Sequence, residues 1–478
     1  MKYLLKTISL VLLLCLVHLP ARAQAFDPEP YLGEYWYGLY MNGSKIGYLV
    51  SDVTLADDGR IQAIENSTFK ITMAGIKQEM TFNSKRIYGT DGALNEVITS
   101  SDDITGQSQF HGIIEGEKLI LTSTVAGQKT TQTLPKPSET LQDMESIIAL
   151  VADGVKIGDS TSFAVFEPMY GKEIEGTITI IGEEEKIFDG VLTQVFKTKS
   201  IIPAMGIEGI AYMTSDGTTL EEQFAGVMTM RLEPKEVAQD VTYANDTIIS
   251  NAAYVDKPIK QARTRESLTL RISGPLTDDL LLNDERQSYT RDGDAYTFVG
   301  KKITLKGLNI PKVPITESSV QEWLKPTTFV QSDHPKLIDQ ARKIVGDRTD
   351  AAEVSEAICD WVYKKMDATF SARLTNSLEV LDSMEGDCTE HSMLYIGLAR
   401  AAGLPAREVA GLIYAPSPKP GFYFHQWARV WVGKWIEVDP TFNQPIADAT
   451  HIRLVEGDLF EQSKLLPVIG KIKIEVVE

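Results

Sequence analysis

The amino-acid sequence predicts an α+β protein, in which a large antiparallel β region over residues 26–255 precedes a C-terminal domain of helices packed on antiparallel strands. Two observations predict this class. From about residue 30 to 250 the chain consists of short alternating runs rich in Thr and Val, separated by turn pairs, as is typical of antiparallel strands. Beyond Ser332, helical periodicity replaces this alternation.

Residues 1–23 have the pattern of a signal peptide. Lys2 and Lys6 stand at the start of an apolar run that extends to Leu19, and a small-x-small cleavage pattern follows at Ala21 to Ala23. This pattern predicts a periplasmic or secreted protein. The apolar run is short and N-terminal, and no other segment has the pattern of a transmembrane helix, so we expect no integral membrane span after signal removal.

Composition narrows the classes of partner. The formal net charge of -19 at pH 7 opposes binding to nucleic acid, so no nucleic-acid partner is expected. After signal removal only Cys359 and Cys388 remain, which is not a dense disulfide framework. The sequence contains neither an EF-hand-like loop nor paired Cys-x-x-Cys motifs, and we therefore expect no metal and no cofactor.

Turn signals divide the β region into strands. Asn42-Gly43 separates two strand-like runs and supplies the positive φ angles of a tight hairpin turn, and Asp91-Gly92 marks a similar corner. Apolar residues at helical spacing predict one helix from Leu141 to Ala152. This pattern of strand-like runs and turns loosely resembles the curved half-barrel sheets of periplasmic lipid-carrier proteins. We expect one large antiparallel sheet.

Residues 256–330 are mixed in pattern and predict a connecting module. A strand-like run from Ser267 to Ile272 is followed by a polar loop from Thr277 to Asp294. A second strand-like run extends from Tyr296 to Leu305.

Residues 331–478 form the predicted C-terminal domain. Helices are expected from Pro335 to Val345 and from Ala351 to Met366, the second with Asp350 at its N-cap. Cys359 lies beside the buried stripe of that second helix, and we expect it to be a small buried thiol.

Cys388 is predicted to lie in the first turn of a third helix. Asp387 and Glu390 have the spacing of a capping box, and Gly403 followed by Pro405 ends the helix. A helix N-terminus presents unpaired N–H groups and a partial positive charge, which lower the pKa of a cysteine thiol. Because the two neighbouring carboxylates oppose this effect, the thiol also needs a base.

His425 is the best-placed base. It lies on a strand-like run that a turn at Gly433 connects to a second run ending in Asp439. His391, one helical turn after Cys388, is a competing base or half of a metal site. The mature chain holds five histidines: His111, His334, His391, His425 and His451.

The length of the hairpin loop decides whether His425 and Asp439 share a face of the sheet. A plain two-residue loop pairs Ala428 with Asp439 and puts His425 and Asp439 on opposite faces. A three-residue loop, Val432 to Lys434, or one bulge puts both on the same face at a diagonal. We predict the odd loop, in which Asp439 accepts a hydrogen bond from one imidazole nitrogen and leaves the other to take the thiol proton.

Together these motifs resemble the core of bacterial transglutaminase-like proteins. The resemblance rests on the Gly386-Asp387-Cys388 opening, the His425-x-Trp427 strand and the Asp439-Pro440-Thr441 ending, in the same order as in the family. It extends from about Asp333 to Leu454, and the tail from Phe442 to Ile452 looks like one exported bacterial branch of the family. It implies a papain-like transglutaminase core, in which a cysteine helix packs on an antiparallel sheet.

Such a core acts on peptide or glutamine amide bonds through a thioester. The resemblance implies Cys388 as nucleophile, His425 as base and Asp439 as the residue that orients the base. With water as acceptor the protein is a cysteine protease or amidase, and with an amine it is a protein-crosslinking transglutaminase. We slightly favour hydrolysis, because exported bacterial members of this family are often described as cysteine proteases. The alternative from another class is a non-catalytic cell-envelope binding protein with a degenerate core.

The partner expected from this resemblance is a protein or peptide substrate. Tyr423, Gln426 and Trp427, which flank His425, are the predicted substrate-binding residues. Gln426 and Arg429 depart from the usual His-Ala-Trp-x-Glu-Val stretch of the family, which leaves substrate preference open.

Overall fold

The computed structural model describes residues 26–73, 75–103, 106–152, 154–243, 246–370 and 375–477. The chain divides into two compact units, with the boundary after Asp246. The predicted signal peptide lies outside the described residues. Within the described ranges, no helix combines the length and the apolar character that crossing a membrane requires.

The N-terminal unit is built on one antiparallel sheet of 14 strands, in the order β8-β7-β6-β5-β4-β3-β2-β1-β14-β13-β12-β11-β10-β9. The predicted large antiparallel sheet is therefore confirmed, while its half-barrel curvature stays a prediction. The strands are Gly33–Met41 (β1), Ser44–Leu55 (β2), Ile61–Met73 (β3), Ile76–Tyr88 (β4), Leu94–Asp103 (β5), Gly106–Glu115 (β6), Lys118–Val125 (β7), Gln128–Pro135 (β8), Ser160–Glu167 (β9), Lys172–Phe188 (β10), Val191–Ile202 (β11), Ile207–Met213 (β12), Thr219–Phe224 (β13) and Met228–Leu232 (β14).

Local sequence signals explain much of this unit. Asn42 and Gly43 have φ angles of 47° and 80°, as the tight turn between β1 and β2 requires. The single helix predicted after β8 is instead two short helices, Leu141–Met144 (α1) and Ser146–Ala152 (α2). The helix breaks because Glu145, with φ -116° and ψ 38°, leaves the helical conformation. A third helix, Lys235–Gln239 (α3), follows β14.

The C-terminal unit contains helices and two antiparallel sheets of five and four strands. One sheet has the order β15-β22-β21-β24, with β23 paired to β22, and the other has the order β17-β18-β16-β25. The helices are Thr247–Ser250 (α4), Pro335–Val345 (α5), Ala351–Lys365 (α6), Ser377–Ser383 (α7), Cys388–Ala401 (α8) and Leu459–Gln462 (α9). The strands are Ala253–Tyr254 (β15), Ser267–Ser273 (β16), Gln287–Asp292 (β17), Ala295–Lys301 (β18), Asp367–Ala368 (β19), Glu385–Gly386 (β20), Ala406–Ala415 (β21), Gly421–Trp431 (β22), Trp435–Val438 (β23), His451–Glu456 (β24) and Lys473–Val476 (β25).

The stretch predicted as a connecting module contributes three strands to the second sheet. The two strand-like runs correspond to β16 and β18, but β17 lies inside the predicted polar loop. Its polar residues are compatible with a strand because β17 is an edge strand with mostly exposed side chains. The sheet is completed by β25 from the end of the chain, which pairs with β16.

The predicted helices of the C-terminal unit begin where their caps indicate. The side chain of Asp350 accepts hydrogen bonds from the backbone N–H groups of Ala352 and Glu353 at the start of α6. Helix α8 begins at Cys388 and packs against β22 and β21. This packing brings the N-terminal end of a cysteine-bearing helix to a sheet that carries His425.

Candidate active site

Cys388 is the first residue of α8 and is half-buried. The predicted capping box is present at this position. The Asp387 carboxylate accepts a hydrogen bond from the Thr389 N–H at 2.9 Å, and the Glu390 carboxylate accepts one from the Asp387 N–H at 2.9 Å. Both neighbouring carboxylates therefore make hydrogen bonds that stabilise the start of the helix. The helix end presents its partial positive charge at Cys388.

The hairpin that carries the histidine has the predicted odd loop. Trp431 pairs with Trp435, which leaves Val432 to Lys434 as a three-residue loop. Ala428 pairs with Val438 in this register, so Asp439 lies opposite Trp427 and on the same face of the sheet as His425. The parity argument from the sequence is confirmed.

His425 and Asp439 are in direct contact. His425 Nε2 donates to Asp439 Oδ2 at 2.8 Å, and the residues are 8% and 0% exposed. Burial disfavours the imidazolium, but the Asp439 carboxylate, and then Cys388 through its charge and a hydrogen bond, raise the pKa of His425 to about 10. Because Nε2 is engaged by Asp439, Nδ1 is the ring nitrogen that remains for Cys388.

A second histidine contacts the same carboxylate. His451 Nε2 lies 2.9 Å from Asp439 Oδ2, and Asp439 Oδ1 accepts a hydrogen bond from the Thr441 N–H at 2.9 Å. Burial alone would raise the pKa of Asp439, but His425 and His451 lower it well below its usual range. Asp439 is thus held as a carboxylate by donors on both of its oxygens.

Asp448 extends the hydrogen-bonded series of His425, Asp439 and His451 by one more residue. His451 Nδ1 lies 3.3 Å from Asp448 Oδ1, and Asp448 Oδ2 accepts hydrogen bonds from Arg263 Nη1 at 2.9 Å and Gln444 Nε2 at 2.7 Å. Sequence reasoning missed both His451 and Asp448 as site residues. The sequence offered one signal for them. Asp448 and His451 are three residues apart, just before and at the start of β24, so two polar side chains lie at the same end of that strand.

A comparison with protein families covers the part of the chain that carries these residues. Residues 338–440 match the model of the transglutaminase-like superfamily. These residues form a transglutaminase-like core. The match ends one residue after Asp439 and so includes Cys388, His425 and Asp439.

Relatives of this chain cover it only in part. An uncharacterized protein of Haemophilus influenzae is 31% identical over 127 residues, which are 26% of this chain and 34% of that protein. The chain therefore matches about a third of the length of this curated relative. The solved structure of a candidate cysteine protease from Cytophaga hutchinsonii shares 19% identity, covers 44% of this chain and 81% of its own, and has a TM-score of 0.32. A β-barrel-like protein of a domain of unknown function from Brucella abortus shares 12% identity, with 42% and 94% coverage and a TM-score of 0.33.

One group of residues at the candidate site has the donor atoms that a metal ion would need. Among the described residues, donor atoms of His425, Asp439 and His451 lie within 4.8 Å of one another. The two nitrogen-to-oxygen distances, 2.8 and 2.9 Å, are hydrogen-bond lengths. Two ligands around a zinc ion with bonds of about 2.0 Å stand farther apart than this in a tetrahedral site. The cluster therefore has the geometry of a hydrogen-bonded network.

The three predicted substrate-binding residues occupy different environments. Trp427 is completely buried, with its ring stacked on His425 at 5.9 Å and its Nε1 donating to Glu437 at 2.9 Å. Strand alternation places the Gln426 side chain on the face opposite His425, and its backbone carbonyl accepts from Ser392 Oγ. Tyr423 donates to the Lys419 carbonyl at 2.6 Å. Substrate contact by these residues stays a prediction.

Phe442 is the exposed side chain next to the histidine. Its ring lies 5.5 Å from the His425 ring and is 41% exposed, and the Arg263 guanidinium stacks on it at 4.6 Å. Sequence reasoning placed Phe442 in the family-like tail but did not single it out.

The competing candidates have other partners. His391 Nδ1 lies 2.7 Å from the Asp387 carbonyl oxygen, to which it donates, and burial lowers the pKa of His391. Cys359 is buried under the Asp439 backbone, 3.9 Å from its carbonyl oxygen, and burial raises the pKa of this thiol well above its usual range. Arg429 is the second departure from the family pattern. It contacts Asp284 at 2.6 Å and belongs to an ion-pair network, which gives it a structural role.

Proposed function

We propose that the protein is a cysteine-dependent enzyme that acts on peptide or glutamine amide bonds through a thioester. The observation that carries the proposal is the contact of His425 Nε2 with Asp439 at 2.8 Å, with the Cys388 sulfur as the other partner of the same ring. A nucleophile, a base and a residue that orients the base are the parts that thiol catalysis requires. Cys388, His425 and Asp439 fill these roles.

In the first half of the reaction, the Cys388 thiolate attacks the carbonyl carbon of the amide. A sulfur–carbon bond forms, and the carbonyl oxygen becomes an oxyanion that the backbone N–H at the start of α8 is placed to stabilise. The oxyanion then re-forms the carbonyl, the carbon–nitrogen bond breaks, and the His425 imidazolium gives its proton to the leaving amine. The product of this half is a thioester on Cys388.

In the second half, neutral His425 takes a proton from the acceptor while the acceptor oxygen or nitrogen attacks the thioester. The sulfur–carbon bond breaks and the thiolate–imidazolium pair is restored. Water gives a carboxylic acid, whereas a primary amine gives a new amide. Asp439 keeps Nε2 protonated throughout, so that proton transfer occurs at the other nitrogen.

We favour hydrolysis over transfer because the Phe442 side chain beside His425 is exposed to solvent. This ring adjoins His425, which is itself buried, and is 41% exposed, so water reaches the surface beside the histidine. A crosslinking transglutaminase, the second candidate, needs an acceptor amine to outcompete water at the thioester. A non-catalytic envelope protein with a degenerate core is the third candidate, and the intact contacts of His425 disfavour it.

We also propose that the protein works in the periplasm or outside the cell on protein or peptide substrates. This rests on the signal-peptide pattern of residues 1–23 and on the amide chemistry above.

The test incubates the mature protein with a glutamine-rich peptide library and a fluorescent primary amine in ¹⁸O-labelled water. Label at new peptide C-termini reports proteolysis, label at glutamate side chains reports glutamine hydrolysis, and fluorescent peptides report transfer. All products should vanish in Cys388→Ala. Products that persist in that variant, or an unreactive Cys388 in the wild type, would overturn the proposal.

A further inference from the structure

Among the described residues, strand β9 is an edge of the 14-stranded sheet and pairs with β10 alone. In an antiparallel pair, every second residue directs its backbone N–H and C=O groups toward the partner strand. The residues between them direct these groups away from it. Ile180 of β10 donates its N–H to the carbonyl of Asp159, so Asp159 belongs to the set directed toward β10. The backbone groups of Ser160 and Ser162 therefore point away from the sheet.

Side chains replace a neighbouring strand along the second half of this edge. The N–H of Ala164 donates to Asp143 Oδ1 at 3.1 Å, and the N–H of Phe166 donates to Glu139 Oε2 at 2.7 Å. These two bonds establish that even-numbered residues of β9 direct their N–H groups outward. Ser160 and Ser162 belong to the same set and are exposed.

The outward groups of Ser160 and Ser162 border a groove of about 900 Å³. The groove is also lined by Ser138, Thr140 and Gln142, from the segment that follows β8. A groove with a free strand edge on one side has the arrangement in which an extended peptide adds to a sheet.

The two edges of the sheet differ in how they are protected. Proteins commonly block an exposed edge with Lys or Pro, which oppose pairing with another chain. The other edge, β8, contains Lys129 and Pro135, whereas β9 contains neither residue type. The edge beside the groove is thus left open for pairing.

The charge of the groove defines the partner. The ionisable residues that line it are Asp91, Asp143 and Glu175, and no Lys, Arg or His lines it among the described residues. Asp91 and Glu175 are exposed and carry their charge toward solvent. A partner with basic side chains would complement this lining.

We propose that the β9 edge of the N-terminal unit binds an extended, basic segment of a partner protein by strand addition, with backbone hydrogen bonds to Ser160 and Ser162. The segment adds one antiparallel or parallel strand beside β9, and its basic side chains face the acidic residues of the groove. This binding is independent of the amide chemistry proposed for Cys388.

The test measures fluorescence anisotropy of a short labelled peptide with alternating Lys and Thr, titrated with the full-length Cys388→Ala protein. We expect saturable binding that weakens with added salt. Methylation of alternate peptide nitrogens in one register should weaken binding by about tenfold or more, because a backbone hydrogen bond is lost, and methylation in the other register should have little effect. The same peptide with Glu in place of Lys should not bind.

The matched protein variants are Ser162→Pro and Ser162→Ala. Proline is tolerated at an edge position whose N–H faces away from the sheet, and it removes the donor, so Ser162→Pro should weaken binding by about tenfold. Ser162→Ala keeps the donor and should bind like the wild type.

Equal binding of methylated and unmethylated peptides would overturn strand addition without relying on any protein variant. Absence of binding by both peptides, or preference for the Glu peptide, would overturn the stated partner. A wild-type dimer that Ser162→Pro converts to a monomer would assign the edge to a second copy of this chain instead.

Discussion

His451 Nε2 lies 2.9 Å from Asp439 Oδ2, the same oxygen that accepts the hydrogen bond of His425. One buried carboxylate thus orients a histidine beside Cys388 and is itself held by a second histidine from another strand. This relationship makes the pKa of Asp439 dependent on a residue 12 positions along the chain.

The first prediction concerns the reactivity of Cys388. Because the pKa of His425 is raised to about 10, its ring stays protonated between about pH 6 and pH 8 and stabilises a thiolate beside it. We expect iodoacetamide to label Cys388 rapidly even near pH 6, and labelling of His425→Ala at that pH to be at least about tenfold slower. Peptide mass spectrometry gives the rates, with buried Cys359 as the internal control. Equal rates in both proteins would contradict an ion pair.

The second prediction concerns Asp439→Asn. The amide keeps the shape of the side chain but can donate toward His425 Nε2, which favours the tautomer with the proton on Nδ1. That tautomer cannot accept the thiol proton, so we expect kcat/KM to fall by about 100-fold or more. Circular dichroism and thermal unfolding check that the fold persists. Asp350→Asn, at the cap of α6, serves as the control and should retain activity.

The third prediction tests His451 as a positioning residue. In His451→Ala, Asp439 loses one of the two histidines that lower its pKa, but it stays ionised and becomes a stronger acceptor for the His425 Nε2–H. The pKa of His425 should therefore rise, so the alkaline limb of the kcat/KM profile should move to higher pH, with about a tenfold loss at the optimum because Asp439 is less firmly positioned.

His451→Gln retains a donor and should recover part of the activity of His451→Ala. His111→Gln, in the N-terminal unit, is the control. An unchanged pH profile in His451→Ala, even with lowered stability, would limit His451 to a structural role.

The fourth prediction concerns buried carboxyls in the N-terminal unit. Burial raises the pKa of Glu65 to about 8, against the opposing effect of Arg86, and raises that of Glu167 to about 7. A carboxyl whose folded pKa is raised stabilises the fold below its unfolded pKa, and this contribution is lost as pH rises through the folded value. Stability should therefore fall between about pH 5 and pH 8, by on the order of a few kcal/mol.

Urea unfolding followed by hydrogen exchange of β3 peptides measures this effect. Glu65→Gln should flatten the pH dependence, because the side chain no longer ionises, whereas exposed Glu117→Gln should leave it unchanged. A Glu65→Gln protein with the pH dependence of the wild type would refute the assignment.

Local features of the fold followed from the sequence alone. The caps at Asp350 and Asp387 and the turn at Asn42 depend on residues within one turn of the chain, so composition and spacing predicted them. The parity argument for His425 and Asp439 also succeeded, since strand alternation is a local rule once the loop length is known. The helix break at Glu145 was missed, because apolar spacing continues across it.

The sequence by itself determined a cysteine at a helix start, a histidine and an aspartate on one hairpin, and the antiparallel character of the chain from about residue 30 to residue 250. Only the tertiary structure decided that His451 and Asp448 stand behind Asp439, that β25 completes a sheet begun by β16, and that the β9 edge borders an acidic groove. Hydrogen bonds within a turn or hairpin are encoded by neighbouring residues. Contacts between distant strands depend on which surfaces are buried together, and this depends on the packing of the whole chain.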